Sequence, residues 1–419
     1  MSTMTGNLRR TMLFGVVGTL VALGAVRVVR ADVASDKPGA ILIFPKIVVD
    51  TSGVLGPPTD TEIQITNTSN SVIAARCFIV DDTSHCSNAP TTACTAQLAG
   101  NGAALGEGGC GAGLCGGACS PRVHENDFRI TLTKRQPISW KASEGLSPLP
   151  CGSVGGVQVG GCTGGQSNGS SSIPNVQEDP FVGEIKCVEV SPDGFGLPTA
   201  GLDPTNNNAG DLKGEATIIS TAGTAVDARK YNGIGIQSTG ANNADGNLVI
   251  GGPAPEYNGC PKVVILDNFF DNATVSTHRG ASSRTVTTDL TVVPCSEDFL
   301  NQTPTGATLQ FLVFNEFEQR FSTSMSISCF KEVQLSDIDS RPGLFGNASS
   351  IFNVAVQGTI SGQTRIRPVA GANSDNRVLA IGEQFWTCDS GPGGECSAAS
   401  NTDIVPGGGV GDLMTIPLD

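Results

Sequence analysis

Fourteen cysteines lie in a chain of 419 residues, and their chemistry depends on where the chain ends up. An oxidising compartment makes disulfides of them, while a reducing one leaves thiolates free to bind metal. Two glycine-dense stretches hold half of them: 86–119, which contains GEGGCGAGLCGGAC, and 151–172, which reads CGSVGGVQVGGCTGGQSNGSSS. Cys110-x4-Cys115-x3-Cys119, with His85 or His124, has the ligand types of a zinc site but not the spacing of a zinc knuckle. We therefore expect disulfides and no metal. The three histidines, His85, His124 and His278, all lie in polar, loop-like surroundings, and no His-Glu-x-x-His occurs. Nucleophile–histidine chemistry has little to build on. Glu297-Asp298 and Glu316/Glu318 are carboxylate pairs of the type glycosidases use, but both stand where solvated strand ends are expected. Only Trp140, Trp386, Tyr231 and Tyr257 could add polar aromatic platforms. No catalytic, cofactor or metal residue is assigned.

The cysteines allow two connectivities. Cys77 and Cys187 lie on alternating apolar runs, and Cys329 and Cys388 hold the corresponding places later in the chain. One reading pairs Cys77 with Cys187 and Cys329 with Cys388. The other joins Cys388 to Cys396 across Gly-Pro-Gly-Gly and leaves Cys329 for Cys295, and short-range closure favours it. Cys86–Cys94 and Cys151–Cys162 would staple their own loops. A boundary at 251 leaves nine cysteines before it and five after, so Cys260 is the candidate for a bridge between the halves.

The first 31 residues settle the expected compartment. Arg9-Arg10 is followed by the uncharged run from Leu13 to Val26 and by Val29-Arg30-Ala31, the layout of a secretory signal cleaved before Asp32. Its removal takes four arginines and no acid from 25 basic and 39 acidic side chains, so the balance moves from −14 to −18. Such a chain repels nucleic acid and anionic lipid. No second membrane-length apolar run follows. The protein is expected outside the cell or on its surface, with the periplasm as the alternative. Calcium stays open at the oxygen-rich loops 203–211 and 242–246, although Ala241 stands where an EF-hand needs its first ligand. Asn67, Asn168, Asn272, Asn301 and Asn347 each begin a glycosylation sequon.

Short alternating segments position all of these residues. Ile63 and Ile65 alternate with polar neighbours, then Ile73, Ala75, Cys77 and Ile79 do the same, which reads as a hairpin. Leu309, Phe311 and Val313, followed by Met325, Ile327 and Cys329, read as a second hairpin. Phe128, Ile130 and Leu132 match Phe352, Val354 and Val356 in spacing, and Gly183-Glu184 before Cys187 matches Gly382-Glu383 before Cys388. From Cys187 to Gly210 and from Cys388 to Gly411 the step is 23 residues in each case. These correspondences suggest an internal duplication. Segments 40–49 and 263–270 would be its leading strands, each buried on both faces.

The expected fold is all-β: two immunoglobulin-like β-sandwich domains, the first with long Gly/Cys-rich loop inserts. After the signal (1–31), domain 1 spans 32–251 with inserts at about 86–119 and 151–172, and domain 2 spans 252–419. In this layout the chain resembles exported bacterial proteins with immunoglobulin-like sandwich domains. The resemblance is architectural and lacks the Cys…Trp…Cys core of true immunoglobulin domains. The expected function is non-enzymatic recognition or adhesion through the stapled loops, toward an extracellular or surface ligand. Two alternatives stand. One is a self-assembling surface or filament subunit that donates the apolar strand 40–49. The other is an extracellular hydrolase with an unrecognised carboxylate site.

Overall fold

In the computed structural model, residues 33–54, 56–86, 89–93, 119–121, 124–146, 152–154, 157–159, 172–190, 210–240, 245–276, 283–339, 349–369, 377–388, 391, 394–405 and 411–417 are described. The signal segment, most of both inserts, and the loops at 203–209 and 241–244 lie outside them.

Alternation along the chain becomes strand after strand. The first half supplies β1 (Ile41–Val49), β2 (Thr59–Asn67), β3 (Ile73–Asp81), β4 (His124–Leu132), β5 (Pro137–Lys141), β6 (Phe181–Val190), β7 (Leu212–Ala222), β8 (Ala225–Asn232) and β9 (Asn247–Gly251). The second half supplies β10 (Val263–Phe269), β11 (Ser283–Pro294), β12 (Gly306–Asn315), β13 (Arg320–Ser328), β14 (Ser361–Pro368), β15 (Val378–Thr387), β16 (Glu395–Asn401) and β17 (Gly411–Thr415). The protein is all-β, and its sheets are antiparallel. Sheet I runs Val33–Ala34, Ile234–Ile236, β1, β6, β3, β4, and sheet II runs β8, β7, β2, β5. Sheet III runs β13, β12, β14, β10, Asp403–Val405. Sheet IV runs Ala273–Ser276, β11, β15, β16, with Lys331–Gln334 also on β11.

Sheets I and II enclose one apolar core, which includes Phe44, Ile63, Ile130, Trp140 and Ile218. Sheets III and IV enclose another, with Leu266, Leu290, Leu309, Phe311 and Ile366. Ala31 to Asp419 nevertheless form one compact unit. β9, at the expected boundary, pairs with β17 at the far end of the chain, and Leu248 and Met414 join the first core.

β1 is buried on both faces, as its unbroken apolar run requires, and is paired on both edges by β6 and Ile234–Ile236. Its partner in the expected duplication is different. β10 alternates, with Asp267 exposed. Sheet III therefore has an outer face, while sheet I is covered on both sides.

The first expected hairpin is not one. β2 belongs to sheet II and β3 to sheet I, so the link between them arches from one sheet to the other. Asn67 holds this arch. Its amide donates to Ser71 O at 2.7 Å and to Thr133 O at 3.0 Å in the neighbouring arch between β4 and β5. That burial also makes Asn67 a poor glycosylation acceptor. The second hairpin, β12–β13, is a true one, and Asn315 closes its turn by accepting from Phe317 N and Gln319 N at 3.0 Å each. The strand expected at 352–356 is instead a helical turn, Val354–Gln357. Asn353 caps it by accepting from Ala355 N, and Gly358 ends it at φ 68°.

Among the described residues no helix is long and apolar enough to cross a membrane.

Candidate functional site

Sheet III turns its outer face away from its core, and the residues on that face converge. Phe314 lies opposite Gln363, and Gln363 lies opposite Asp267, so β12, β14 and β10 contribute one row across the sheet. Gln363 donates to Asp267 Oδ1 at 3.2 Å, and Arg365 Nε donates to Gln363 Oε1 at 3.0 Å. The Arg365 guanidinium lies over the Phe314 ring at 5.2 Å. At the end of this row the β12–β13 turn adds Glu316 and Glu318, and Ser361 donates to Glu316 at 2.7 Å. Together with Phe269 and Gln384 these residues line an open groove of about 580 Å³. That volume is in the range of small-molecule and oligomer sites. Phe317, between the two turn glutamates, is 65% exposed.

The groove offers carboxylates, amides and one guanidinium in fixed positions, with aromatic faces beside them. Such a set gives and accepts hydrogen bonds in several directions at once, as a polar ligand with many hydroxyls requires. Glu316 and Glu318, marked in the sequence as a carboxylate pair, do lie in it. Nothing in the sequence pattern tied them to Asp267 or Arg365, which come from strands about 50 residues away on either side. Glu297 and Asp298 do not form a pair. Glu297 turns into the interior, while Asp298 accepts from Asn301 N and Nδ2 at the surface.

Inside the molecule, charges in otherwise apolar strands form two clusters where the halves meet. β1 carries an extra residue opposite β6 at Pro45-Lys46, where proline cannot donate to the ladder. The Tyr231 hydroxyl mends the break, accepting from Lys46 N at 3.1 Å and donating to Lys46 O. The bulge aims Lys46 at the second half, where its ammonium meets Glu332 at 2.6 Å and also Glu383. Arg229 Nε approaches the other Glu383 oxygen at 2.6 Å. Burial alone would raise the Glu383 carboxyl, but Lys46 and Arg229 overcome it and hold the group below the usual carboxylate range. Burial raises nearby Asp289 well above that range, reinforced by Glu332 and Glu383.

The second cluster has the opposite balance. Lys186 Nζ meets Glu184 at 2.8 Å and Glu297 at 2.7 Å. Asp82 sits beside them, wholly buried, and neither of its oxygens has a hydrogen-bond partner. Desolvation pushes Asp82 and Glu184 up, and the neighbouring acids push them further.

The cysteines divide. Cys77 and Cys187, directly opposite on β3 and β6, are joined. Cys388 is joined to Cys396. Cys295 is joined to Cys260 and not to Cys329, so Cys260 bridges within the second half. Cys329 is a buried free thiol at φ 63°, and its Sγ donates to Glu297 at 3.1 Å. That left-handed turn gives it a carboxylate partner in place of Cys295. The expected pairs Cys86–Cys94 and Cys151–Cys162 lie outside the described side chains. So do His85, His124 and His278, and residues 203–209 and 242–244 of the calcium-type loops. The same holds for Gly165-Gln166-Ser167-Asn168-Gly169, which has the Gly-x-Ser-x-Gly spacing of serine hydrolases. Trp140, Tyr231 and Tyr257 are buried, which removes three of the four polar aromatics as surface platforms. Among the described residues no three His, Cys, Asp or Glu side chains are arranged to hold a metal ion.

No known family, curated protein or solved structure was found that matches this chain.

Proposed function

We propose that this is an exported, non-enzymatic recognition protein built on two immunoglobulin-like sandwiches. Its ligand, on this reading, is a neutral, hydroxyl-rich chain such as a glycan, held in the groove on sheet III. The observation that carries the reading is the row Phe314–Gln363–Asp267 with Arg365 stacked beside it. These groups restrain one another through hydrogen bonds, so little order has to be imposed on binding. Phe314, Phe269 and exposed Phe317 supply flat faces for sugar C–H groups. An acidic rim of Asp267, Glu316 and Glu318 disfavours anionic polymers.

Three disulfides among the described residues suit an extracellular setting. The filament-subunit alternative fares worse. β1, which was to be donated, already has neighbours on both edges and closes the first core. The stapled loops of the first half remain the competing recognition surface.

The test is affinity electrophoresis against a panel of neutral polysaccharides. We expect retardation by at least one of them. Asp267→Ala with Arg365→Ala should weaken it at least about tenfold, since each change removes hydrogen bonds worth about 1–3 kcal/mol. Replacing 86–119 with a short turn should leave it unchanged. Binding lost with the loop and kept in the groove variant would move recognition to the loops. Release of sugars from a bound polymer would favour the hydrolase.

A further inference from the structure

The cluster around Lys186 has an excess of acid that its geometry does not neutralise. Glu184 and Lys186 are on one face of β6, which sheet I turns toward the second half. Asp82 follows β3. Glu297 arrives from beyond β11, and Cys329 from beyond β13. Phe299 covers the ammonium at 6.0 Å and stacks on Phe78 at 4.2 Å, so water is kept out. Three carboxyl groups therefore share one cation in an apolar enclosure, with Asp81 adjoining. Asp81 is occupied, accepting from Thr83 N at 2.9 Å. Thr83 in turn accepts from Val182 N, which fixes the chain on both sides of Asp82. Lys186 reaches only Glu184 and Glu297. On the other side, Glu125 of β4 lies within electrostatic range of Glu297, its own carboxyl raised to about 7 chiefly by burial, and the backbone of His124 lies opposite Asp81.

Two uncompensated negative charges in such a place would cost far more than a fold can supply. A metal ion is a poor remedy, because the ammonium already stands between the two glutamates. Protons remain. We propose that Asp82 and Glu184 are carried in the folded protein as neutral carboxyls, leaving Lys186 and Glu297 as the one ion pair, and that these two protons keep the junction between the halves closed. Removing them leaves like charges facing one another across that junction. It thus acts as a clasp that holds in acidic or neutral surroundings and loosens in alkali. This inference is independent of the groove on sheet III.

The test measures protons released on unfolding, from calorimetry at neutral pH in buffers of different ionisation enthalpy. The intact protein should release about two more protons than the variant Asp82→Asn with Glu184→Gln, because the unfolded chain ionises both groups. Protection of the Val182 and Phe299 amides, measured against the base-catalysed intrinsic exchange rate at each pH, should fall at least about tenfold between pH 7 and alkaline pH in the unmodified protein, and much less in the variant. Infrared difference spectra of the unmodified protein give a reading that needs no variant. They should show carbonyl stretches of protonated carboxyls at neutral pH. Equal proton release in the two proteins would overturn the proposal, as would the absence of those stretches. So would stabilisation by added calcium or magnesium that the variant lacks.

Discussion

Glu184 and Glu383 each follow a glycine in a buried strand and each reach across the junction, yet they sit in opposite fields. Glu383 stands between two cations, Lys46 and Arg229. Glu184 shares one cation with another acid. Replacing Glu383 with Gln leaves two buried cations without their shared anion, and we expect a loss of about 3–5 kcal/mol in urea unfolding at pH 7. Glu184→Gln removes no needed charge and should cost much less, or stabilise. A similar loss for both variants would contradict the assignment. The sequence held a trace of this. Lys46 interrupts AILIFPKIVV, and Glu184 with Lys186 interrupts FVGEIKCVEV, two runs otherwise fit for complete burial. Alternation rules assign such charges to solvent, and they cannot show that a second half covers the same face. Cys329 was misjudged for a related reason. Sequence distance favoured Cys295, but chain direction at the turn decides which sulfurs meet.

Strands were legible, and their partners less so. The apolar run of β1 and the β12–β13 hairpin are as the pattern suggests. The β2–β3 link is not, because an alternating pattern tells which side chains share a face but not which sheet takes the strand. A loop of a few residues can turn back or cross over. Here the buried Asn67 amide makes it cross. At 352–356 the spacing of apolar residues is that of a strand, but the Asn353 cap and the glycine at 358 outweigh it. Two predictions belong to this scale. Tyr231→Phe removes both hydrogen bonds that satisfy the Lys46 backbone in the bulge. It should cost about 1–3 kcal/mol and speed exchange of the Lys46 amide, while unchanged exchange would show that water replaces the hydroxyl. The second rests on register. In the short strands Ser84–Cys86 and Cys119–Pro121, the backbone of Cys86 lies opposite Cys119, as Cys77 lies opposite Cys187. Non-reducing peptide mapping should therefore recover Cys86–Cys119, and recovery of Cys86–Cys94 would restore the expectation from spacing.

Across the whole molecule the two clusters set a pH optimum. The halves are not superposable copies in the order the sequence suggested, since β1 pairs with β6 whereas β10 does not pair with β15. Two buried charge clusters as well as apolar contacts join them, and the charged parts respond to pH in opposite directions. Asp82, Glu184 and Asp289 have raised values, and Glu125 is raised to about 7, chiefly by burial and then by Asp127. The folded state holds these protons more tightly than the unfolded one. Their contribution is therefore complete below the ordinary carboxylate range, about 4, and is lost as pH rises through the folded values, which for Glu125 is about 7. Glu383 is lowered, so its contribution is present above that range and is lost as pH falls through its folded value. A net charge of −14 adds self-repulsion that grows as pH rises from the isoelectric point near 4.6. Stability should then peak in mildly acidic solution, between about pH 4 and 6, and fall on both sides. Urea midpoints measured from pH 3 to 9 locate the peak. With Asp82→Asn and Glu184→Gln together, the fall on the alkaline side should flatten while the acid limb stays, because Glu383 is untouched. A maximum at pH 8 or above in the unmodified protein would mean that the acid-rich cluster is ionised in the fold.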